Sequence, residues 1–298
     1  MTAKKKRGVT SGQARAGKLF ILPSMIVFSI FVFIPLIVDF ALSTLNFDMM
    51  FNNLTFQSGR NYLKLMLDSR FWNSMLNTLY YTVGTVPIQI VLAFLTAVAI
   101  RRQTKVNAFF KSVFFLPAIC SMTIVSIVWS FLLNKDIGSI SYYFSLVGLH
   151  LPELLNDPML AMPTIIFVGI WKNFGFNMVI LIAGLLGISG SYYEAADIDG
   201  ASSSTKMFRI TIPLMKPTLT FVIVNSVISS FQVFDQVYVM TRGGPLFKTE
   251  TVVQYIYKCS FENYDMGYAC TVAVALLVIT LAVSIPMILR MNKSETES

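Results

Sequence analysis

Long runs of uncharged, mostly apolar residues dominate the pattern of hydrophobic and polar positions along the chain. Five such runs lie at 19–38, 71–100, 112–134, 217–234 and 266–289, and a sixth apolar run, 158–184, contains one lysine. A transmembrane helix needs about 20 mostly apolar residues. The pattern therefore predicts an all-α, polytopic membrane protein with six transmembrane helices. The predicted spans are about 19–41, 74–100, 112–134, 160–185, 217–235 and 267–289.

Two of these runs allow a second interpretation. In the fourth, Lys172 lies either within one span, where it snorkels to the interface or lines a polar cavity, or beside a surface helix that precedes a span starting near Asn173. We favour the single span. The first run follows basic residues, as in a signal peptide, but it exceeds the usual length of about 7–15 apolar residues. Because Pro23 and Pro35 also interrupt it, we favour an uncleaved first span.

The amino-acid composition excludes an ordinary soluble domain. Of the 298 residues, 55% are hydrophobic and 13% are charged, whereas about 25% of residues are charged in soluble domains. The mean hydropathy of +0.67 agrees with this. One histidine and three cysteines exclude a disulfide scaffold and leave little material for a metal site or a His-based catalytic site. We therefore expect no metal, no cofactor and no catalytic residues.

The distribution of basic residues predicts the orientation in the membrane. If the amino terminus is cytoplasmic and the spans alternate, 15 of the 23 Lys and Arg residues lie inside, seven lie outside and Lys172 lies within a span. Basic loops are retained in the cytoplasm. We therefore expect both termini to be cytoplasmic, as tails at 1–18 and 291–298. The net charge of +8 is then mainly an orientation signal, and we expect no nucleic-acid partner.

The polar loop 191–216, between the fourth and fifth predicted spans, carries the most specific pattern. Ser191 and Glu194 have the spacing of a capping box, which begins a helix. Gly200 can adopt the left-handed conformation that ends a helix. Ser202 or Ser203 can cap a second helix, which Pro213 then ends. The sequence predicts a rigid helix–turn–helix, and an ordinary connecting loop is the alternative.

The same segment resembles the EAA motif of permease subunits in ATP-binding-cassette (ABC) importers. The matching residues are Glu194, Ala195, Ala196, Gly200, Ile210, Ile212 and Pro213, with Ile212 in place of the usual Leu. In this family the motif docks on an ATPase subunit. The resemblance therefore implies that the loop couples the chain to an ATPase. The coupling residues that it implies are Glu194, Ala195, Ala196, Asp199, Gly200, Ile210 and Pro213.

A second set of segments resembles one branch of these permeases. It is similar to the first permease subunit of carbohydrate importers, of the maltose and glycerol-3-phosphate type. The similar segments are 22–23, 115–117, 234–241, 243–245, 249–251, 255–257 and 267–269. The resemblance thus extends over nearly the whole chain and implies one permease domain of the type I ABC importer fold over 19–290.

The resemblance also implies partners and a mechanism. Such a subunit lies in the bacterial cytoplasmic membrane, pairs with a second homologous permease as a heterodimer and binds an ABC ATPase dimer. An extracytoplasmic binding protein delivers a sugar, here expected to be an oligosaccharide, and transport occurs by alternating access. The subunit itself is not an enzyme. In agreement, the sequence contains no Gly-x-x-x-x-Gly-Lys-Ser/Thr loop that would cradle nucleotide phosphates.

Polar residues within two predicted spans are candidates for a sugar pathway. In the fifth span, polar residues between 225 and 232 fall on an arc of about 160° if the helix is regular. Sugar hydroxyls need hydrogen-bond partners, and aromatic rings stack on sugar faces. A cluster of polar groups within a span hints at a pathway, and we favour this role because the family that the chain resembles binds its sugar in the same region. Helix–helix packing is the alternative role for each serine. The set is Trp171, Asn173, Asn177, Ser226, Ser230 and Gln232.

Other functions account for the sequence less well. Gly187-Ile188-Ser189-Gly190 resembles the nucleophile motif of an intramembrane serine protease, but the one histidine, His150, is expected on the other side of the membrane. An ion-coupled secondary transporter or a channel is the stronger alternative. A secondary transporter would use carboxylates inside its spans. We expect no Asp or Glu inside a span, and a channel leaves the EAA segment unexplained.

Overall fold

The computed structural model describes residues 11–50, 54–57 and 59–296. Most of the predicted amino-terminal tail, 1–10, and the last residues of the carboxyl-terminal tail, 297–298, lie outside the described residues. Within the described residues the chain forms fifteen α-helices, three π-helices and two short strands.

The α-helices account for most of the described chain. They are α1 (Ser11–Phe28), α2 (Ile34–Leu42), α3 (Arg60–Leu67), α4 (Ser69–Ile100), α5 (Lys105–Ile119), α6 (Met122–Leu132), α7 (Ser139–Leu146), α8 (Ala161–Leu186), α9 (Gly190–Ile198), α10 (Ser203–Lys206), α11 (Ile212–Leu214), α12 (Lys216–Phe231), α13 (Asp235–Met240), α14 (Val252–Tyr257) and α15 (Met266–Thr296). The π-helices are Ser29–Phe33, Met207–Thr211 and Lys258–Glu262. The strands β1 (Leu45–Asn46) and β2 (Thr55–Phe56) are antiparallel, with Leu45 opposite Phe56.

Four helices are long and apolar enough to cross a membrane, and two bent helix pairs are further candidates. The four are Lys18–Leu42, Ser69–Ile100, Ala161–Leu186 and Met266–Leu289. The bent pairs are Lys105–Ile119 with Met122–Leu132, and Ser203–Leu214 with Lys216–Phe231. The prediction of an all-α membrane protein is therefore confirmed. If each bent pair counts as one span, the described residues contain six candidate spans, the predicted number.

The third span is not the continuous helix expected over 112–134. Its two halves, α5 and α6, meet at an angle of 97°. Cys120 and Ser121, at the break, have extended ψ angles of 146° and 136°. Pro117 lies three residues earlier and has no N–H for the helix ladder, so it weakens the last turn of α5. Hydropathy alone gives no sign of this break because both halves are apolar.

The fifth span also begins with a bend. Helical geometry continues through Pro213 to Leu214, so Pro213 does not end the helix as expected. The π-helix Met207–Thr211 directly precedes α11, so the regular α-helical hydrogen-bond ladder is already interrupted where Pro213 lacks its N–H. The 65° bend lies at Met215 instead, between α11 and α12. At the other end, α12 stops at Phe231, short of the predicted boundary at 235.

Two charged residues, Lys172 and Asp39, lie inside candidate spans. Lys172 lies inside α8, so the fourth run forms one unbroken helix, long and apolar enough to cross a membrane, rather than two shorter ones. Asp39 lies in α2, inside the candidate span Lys18–Leu42. The expectation that no carboxylate lies inside a span is therefore wrong. Asp39 lies three residues before the end of α2, and its partly buried carboxylate interacts with the Cys270 side chain of α15.

The core is organised around α4 and α8, which run parallel. Tyr81, in the first half of α4, contacts Gly169 in the first half of α8. Ala97 and Leu185, near the two helix ends, belong to one apolar cluster. Helix α12 is antiparallel to α8, because Thr218 at its start contacts Gly184 near the end of α8. These three helices therefore form the frame on which α5, α6, α13 and α15 pack.

Glycine permits the close packing of α5 on α8. A Cβ atom at Gly175 would overlap the carbonyl oxygen of Phe114 and would lie 2.7 Å from its carbonyl carbon. Small residues commonly allow the backbones of membrane helices to approach closely. A larger residue at 175 must therefore push the backbone of α5 away from α8.

We predict that Gly175→Ala destabilises the protein by about 1–3 kcal/mol, the usual cost of overpacking. The measurement is the midpoint of thermal unfolding in detergent. Gly190→Ala is the matched control, because a Cβ there would meet only Glu194 Oε1, at 3.9 Å. Equal midpoints for the two variants would contradict the packing argument.

Candidate functional site

The polar loop after α8 folds into helical segments that run from α9 to α11, here called the α9–α11 unit (residues 190–214). Its first helix is capped by Ser189, whose Oγ accepts a hydrogen bond from the Ser191 N–H at 3.4 Å. The expectation that Ser191 begins the helix is therefore wrong. Ser191 already lies in the first turn, because the chain is helical from Gly190 onward.

Gly200 ends α9 in the left-handed conformation, as predicted. Its φ angle is +70°, and the Ala201 N–H donates to the carbonyl oxygen of Ala196 at 2.9 Å. This hydrogen bond is typical of a helix that ends with a left-handed residue. A Cβ atom at 200 would meet nothing within 4 Å, but this φ disfavours residues other than glycine.

Contacts between side chains join α9 to the helical segments that follow it. Ser202 caps α10, as predicted, by accepting a backbone hydrogen bond at 3.2 Å. Lys206 forms an ion pair with Asp197 of α9. The hydroxyls of Tyr193 and Thr211 lie 2.9 Å apart and are partly buried. The two halves of the α9–α11 unit are therefore held together as one body.

Most of the predicted coupling residues lie on the surface of this unit. Ala196 is buried and Ile210 is half-buried. The exposed members are Glu194, Ala195, Asp199, Gly200 and Pro213. In the same unit, Ile198 is 87% exposed and Phe208 is 70% exposed. Large apolar side chains exposed among polar residues are typical of a protein interaction surface.

A polar cavity of about 290 Å³ lies between α4, α8 and α12. The Asn177 Nδ2 group donates to Ser226 Oγ at 3.1 Å and joins α8 to α12 within it. Most of the lining side chains carry a hydroxyl or an amide group, and Lys172 supplies the one charge. The lining residues are Tyr81, Thr85, Gln89, Ala118, Lys172, Asn173, Phe176, Asn177, Asn225, Ser226, Ser229 and Ser230.

The structure brings together four of the six residues expected on the pathway. Asn173, Asn177, Ser226 and Ser230 all line the cavity, whereas Trp171 and Gln232 are not among its lining residues.

Trp171 packs instead against Trp129, with ring centroids 5.4 Å apart in an edge-to-face arrangement. Gln232 lies beyond the last residue of α12, and its side chain is exposed. The expected arc assumed a helix through residue 232, but α12 ends at Phe231.

Sequence reasoning missed the contribution of α4 to the cavity. Tyr81, Thr85 and Gln89 line it and are spaced four residues apart, so they form one stripe on the helix. The amide oxygen of Gln89 has no hydrogen-bond partner within the described residues, and the Thr85 hydroxyl lies beside that of Tyr81 without a well-aligned hydrogen bond. The signal was present in the sequence as neutral polar residues at helical spacing. It is weak because such residues do not interrupt an uncharged run.

The placement of Ser189 and His150 does not favour a protease. Ser189 caps α9, just after the end of α8, whereas His150 precedes the start of α8. The 26 residues of α8 span about 39 Å. A hydrogen bond between the two side chains would need them within about 3 Å.

A buried carboxylate holds the loop 241–251 against the start of α4. Glu250 is fully buried and accepts hydrogen bonds from Arg70 Nε and Nη2, each at 2.8 Å. Lys258 Nζ lies 2.9 Å from the same carboxylate. The Asn77 side chain also donates to the backbone carbonyls of Phe247 and Glu250, at 2.8 and 3.0 Å. The loop is therefore fixed by charge and by backbone hydrogen bonds together.

Asp68 forms a second anchor beside this loop. Its Oδ2 accepts hydrogen bonds from the hydroxyls of Tyr255 and Tyr268, each at 2.5 Å. Burial by itself would raise the pKa of Asp68, but these two bonds and those from the backbone N–H groups of Arg70 and Phe71 outweigh burial. The pKa of Asp68 therefore falls below its ordinary value, and the carboxylate stays charged at neutral pH.

Comparison with known families matches residues 62–293 to the family described as binding-protein-dependent transport system inner membrane component. The probable ABC transporter permease protein YurN of Bacillus subtilis is 32% identical over 90% of this chain and 92% of YurN. The sn-glycerol-3-phosphate transport system permease protein UgpA of Agrobacterium fabrum is 31% identical over 89% of this chain and 91% of UgpA. The lactose transport system permease protein LacF of Rhizobium radiobacter is 31% identical over 90% of this chain and 91% of LacF.

A solved structure has the same fold. It is a chain of a bacterial ABC transporter involved in the import of the acidic polysaccharide alginate. The two chains superpose with a TM-score of 0.79 over 95% of this chain and 96% of that one. Because their sequences are 22% identical, this likeness bears on the fold alone.

We predict that Glu250→Gln loosens the loop 241–251, because the change leaves Arg70 and Lys258 without their anion. Removing one partner of a buried ion pair costs about 3–5 kcal/mol. Trypsin should therefore cleave faster after Arg242 and Lys248, which lie exposed in this loop. Cleavage in detergent is followed by mass spectrometry.

The control for this experiment is Glu153→Gln. Glu153 pairs with Lys135 at 3.3 Å, with both side chains about half exposed. Exposed pairs contribute about 0–1 kcal/mol, so cleavage in loop 241–251 should stay at the wild-type rate. Equal cleavage rates for the two variants would argue against the anchoring role of Glu250.

Proposed function

Since the chain belongs to the family of binding-protein-dependent transport system inner membrane components, we propose that it forms half of the membrane pathway of an ATP-driven sugar importer. In this proposal the subunit pairs with a second homologous permease and with an ABC ATPase dimer. An extracytoplasmic binding protein delivers the sugar, and the pathway opens alternately to the two sides of the membrane. The subunit contributes no catalytic group.

The cavity between α4, α8 and α12 is the observation that carries the proposal. Its hydroxyl and amide side chains can donate to and accept from sugar hydroxyls, and they lie within helices that are otherwise apolar. Polar groups inside a membrane cost free energy, so a cluster of them indicates a pathway or a contact with a partner. The volume of about 290 Å³ is at the lower limit of ligand pockets, about 300–1,000 Å³. A second permease would supply the facing wall.

The class of substrate is supported by the relatives. UgpA and LacF are named for the transport of sn-glycerol-3-phosphate and lactose. Lactose carries many hydroxyl groups and sn-glycerol-3-phosphate carries two, and hydroxyls suit the amides and hydroxyls of Asn173, Asn177, Ser226 and Ser230. We propose a sugar, in particular an oligosaccharide, as the substrate.

The α9–α11 unit is the proposed contact with the ATPase. The exposed Ile198 and Phe208 side chains would be buried in a groove of that partner, with Glu194 and Asp199 at the rim. Because α9 follows α8 after three residues, a displacement of the unit would be transmitted to α8. Asn173 and Asn177 lie on α8, so the cavity wall would move with it.

The proposed orientation places the α9–α11 unit and both termini in the cytoplasm. Arg101 and Arg102, which follow α4, and Lys105, the first residue of α5, then lie on the same side, in agreement with the positive-inside rule. The loop 241–251 lies on the outer side, where the binding protein would dock. An ion-coupled transporter or a channel remains the alternative to this proposal, and its uptake would not depend on the ATPase.

We predict that Gly200→Trp uncouples transport while the protein still inserts into the membrane. The new side chain would be forced into a left-handed conformation and would project from the proposed docking surface. The measurements are co-purification with the ATPase and ATP-dependent uptake in membrane vesicles, each expected to fall at least tenfold.

Gly148→Trp is the control, because Gly148 also has a positive φ, +77°, and open space around its Cβ position, but lies on the opposite side of the membrane in this proposal. Its uptake should stay near wild type. Normal uptake and normal co-purification by Gly200→Trp would refute the coupling role of this loop.

We predict that Asn173→Leu and Ser230→Leu each lower uptake at least tenfold at normal expression, because each removes a hydrogen-bonding group from the cavity and narrows it. Transport assays in vesicles measure this. Thr96→Leu is the control, since Thr96 bonds only the carbonyl of Leu92 in its own helix and does not line the cavity. Unchanged uptake by both cavity variants would exclude this cavity as the route.

A further inference from the structure

Polar side chains continue beyond the cavity, on the side away from the α9–α11 unit. Tyr81 lines the cavity, and its hydroxyl reaches Gly169 on α8. Gly169 lies one helical turn before Asn173, which corresponds to about 6 Å along the helix axis. Gln236 reaches the same place from α13: both of its amide atoms are 3.3 Å from the position of a Cβ atom at Gly169. Glycine at 169 therefore makes the room in which Tyr81 and Gln236 meet.

Gln236 is buried without adequate hydrogen bonds. Its side chain is 2% exposed. The Tyr81 hydroxyl lies beside it, but neither amide atom of Gln236 has a well-aligned hydrogen bond within the described residues. A buried amide in this state costs free energy. Because this chain already encloses Gln236, a neighbouring subunit cannot supply the missing partner unless α13 moves.

A second buried glutamine, Gln254, shows that an unpaired amide must also lie near the cavity to be a candidate for binding. Gln254 is 1% exposed, and both of its amide atoms also lack partners among the described residues. It lies on α14, which packs against α4 and α15, and it is not one of the residues that line the cavity. An unpaired amide alone therefore does not mark a binding site. Gln236 differs because it adjoins a residue of the cavity wall.

We propose that Tyr81 and Gln236 form a second sugar subsite, which binds hydroxyl groups before the sugar reaches the cavity. This rests on the proposed function. An amide presents a donor and an acceptor side by side, and the Tyr81 hydroxyl can do either, so together they match a pair of neighbouring hydroxyls. No charged side chain takes part, so the subsite binds an uncharged, polyhydroxylated part of the substrate. A sugar bound there supplies the hydrogen bonds that Gln236 lacks.

Movement of α13 would give access to this subsite. α13 has six residues and packs on α6 and α8. It is joined to α12 by the non-helical residues 232–234, so it can shift without unwinding a long helix.

The first test is uptake by the complete transporter in proteoliposomes, with radiolabelled lactose, maltose and sn-glycerol-3-phosphate as probes. For the sugar that the wild type takes up, Gln236→Leu should raise KM at least tenfold, by a larger factor than Vmax falls, and Gln236→Asn should lie between. Gln254→Leu should keep the wild-type KM. A wild-type KM in Gln236→Leu, or an equal rise in Gln254→Leu, would overturn the subsite.

The second test follows access to position 236. In a chain whose three cysteines are replaced by serine, Gln236→Cys should react with a maleimide during ATP turnover, and saturating sugar should slow the reaction at least fivefold. Gln254→Cys should show no protection by sugar. Absence of labelling at 236, or labelling without protection, would overturn the subsite. If the wild type takes up none of the three probes with ATP, the proposed substrate class fails, and the subsite fails with it.

Discussion

The packing of α4 along α8 is the interaction on which the rest of the structure depends. Both helices are apolar over most of their length, and their contact faces supply much of two of the three apolar clusters. The other elements attach to this pair: α5 at Gly175, α12 at Gly184 and through Asn177, and the loop 241–251 through Glu250. In a bilayer, polar groups on such a pair must be hydrogen-bonded or must face a cavity. The polar stripe of α4 faces the cavity, so the main packing contact also forms its wall.

One helix connects the two proposed functional regions. Asn177, on the cavity wall, and Ser189, the cap of α9, are twelve residues apart, which is about 18 Å along a helix. Only the three non-helical residues 187–189 lie between α8 and α9. Side-chain contacts within the α9–α11 unit make that unit rigid. In the proposed function, a displacement at the ATPase therefore reaches the sugar pathway through a single stiff element. The loop 241–251 is attached instead to α4, through the ion pair between Glu250 and Arg70.

The sequence predicted those features that depend on local patterns. The apolar runs and the left-handed Gly200 follow from residue type and spacing. The grouping of Asn173 with Ser230 needed the family resemblance as well, because the two residues lie on different helices. The break at Cys120 could not be predicted in this way, because hydropathy measures only how apolar the residues are, and the residues on both sides of the bend are apolar. The ion pair between Arg70 and Glu250 joins residues 180 positions apart, and no local pattern encodes such a contact.

The first span, Lys18–Leu42, is much less buried by the rest of the chain than α4 and α8 are. None of its most apolar window is buried by the described residues, and within this chain α2, its last part, is what packs against α15. Its 25 residues correspond to about 37 Å of helix, compared with a hydrocarbon layer of about 30 Å. A helix that is longer than this layer can tilt, kink or locally thicken the bilayer. Because the chain itself holds this span only through the contact of α2 with α15, the surrounding lipid bears on its placement, whereas protein contacts fix the angle between α4 and α8.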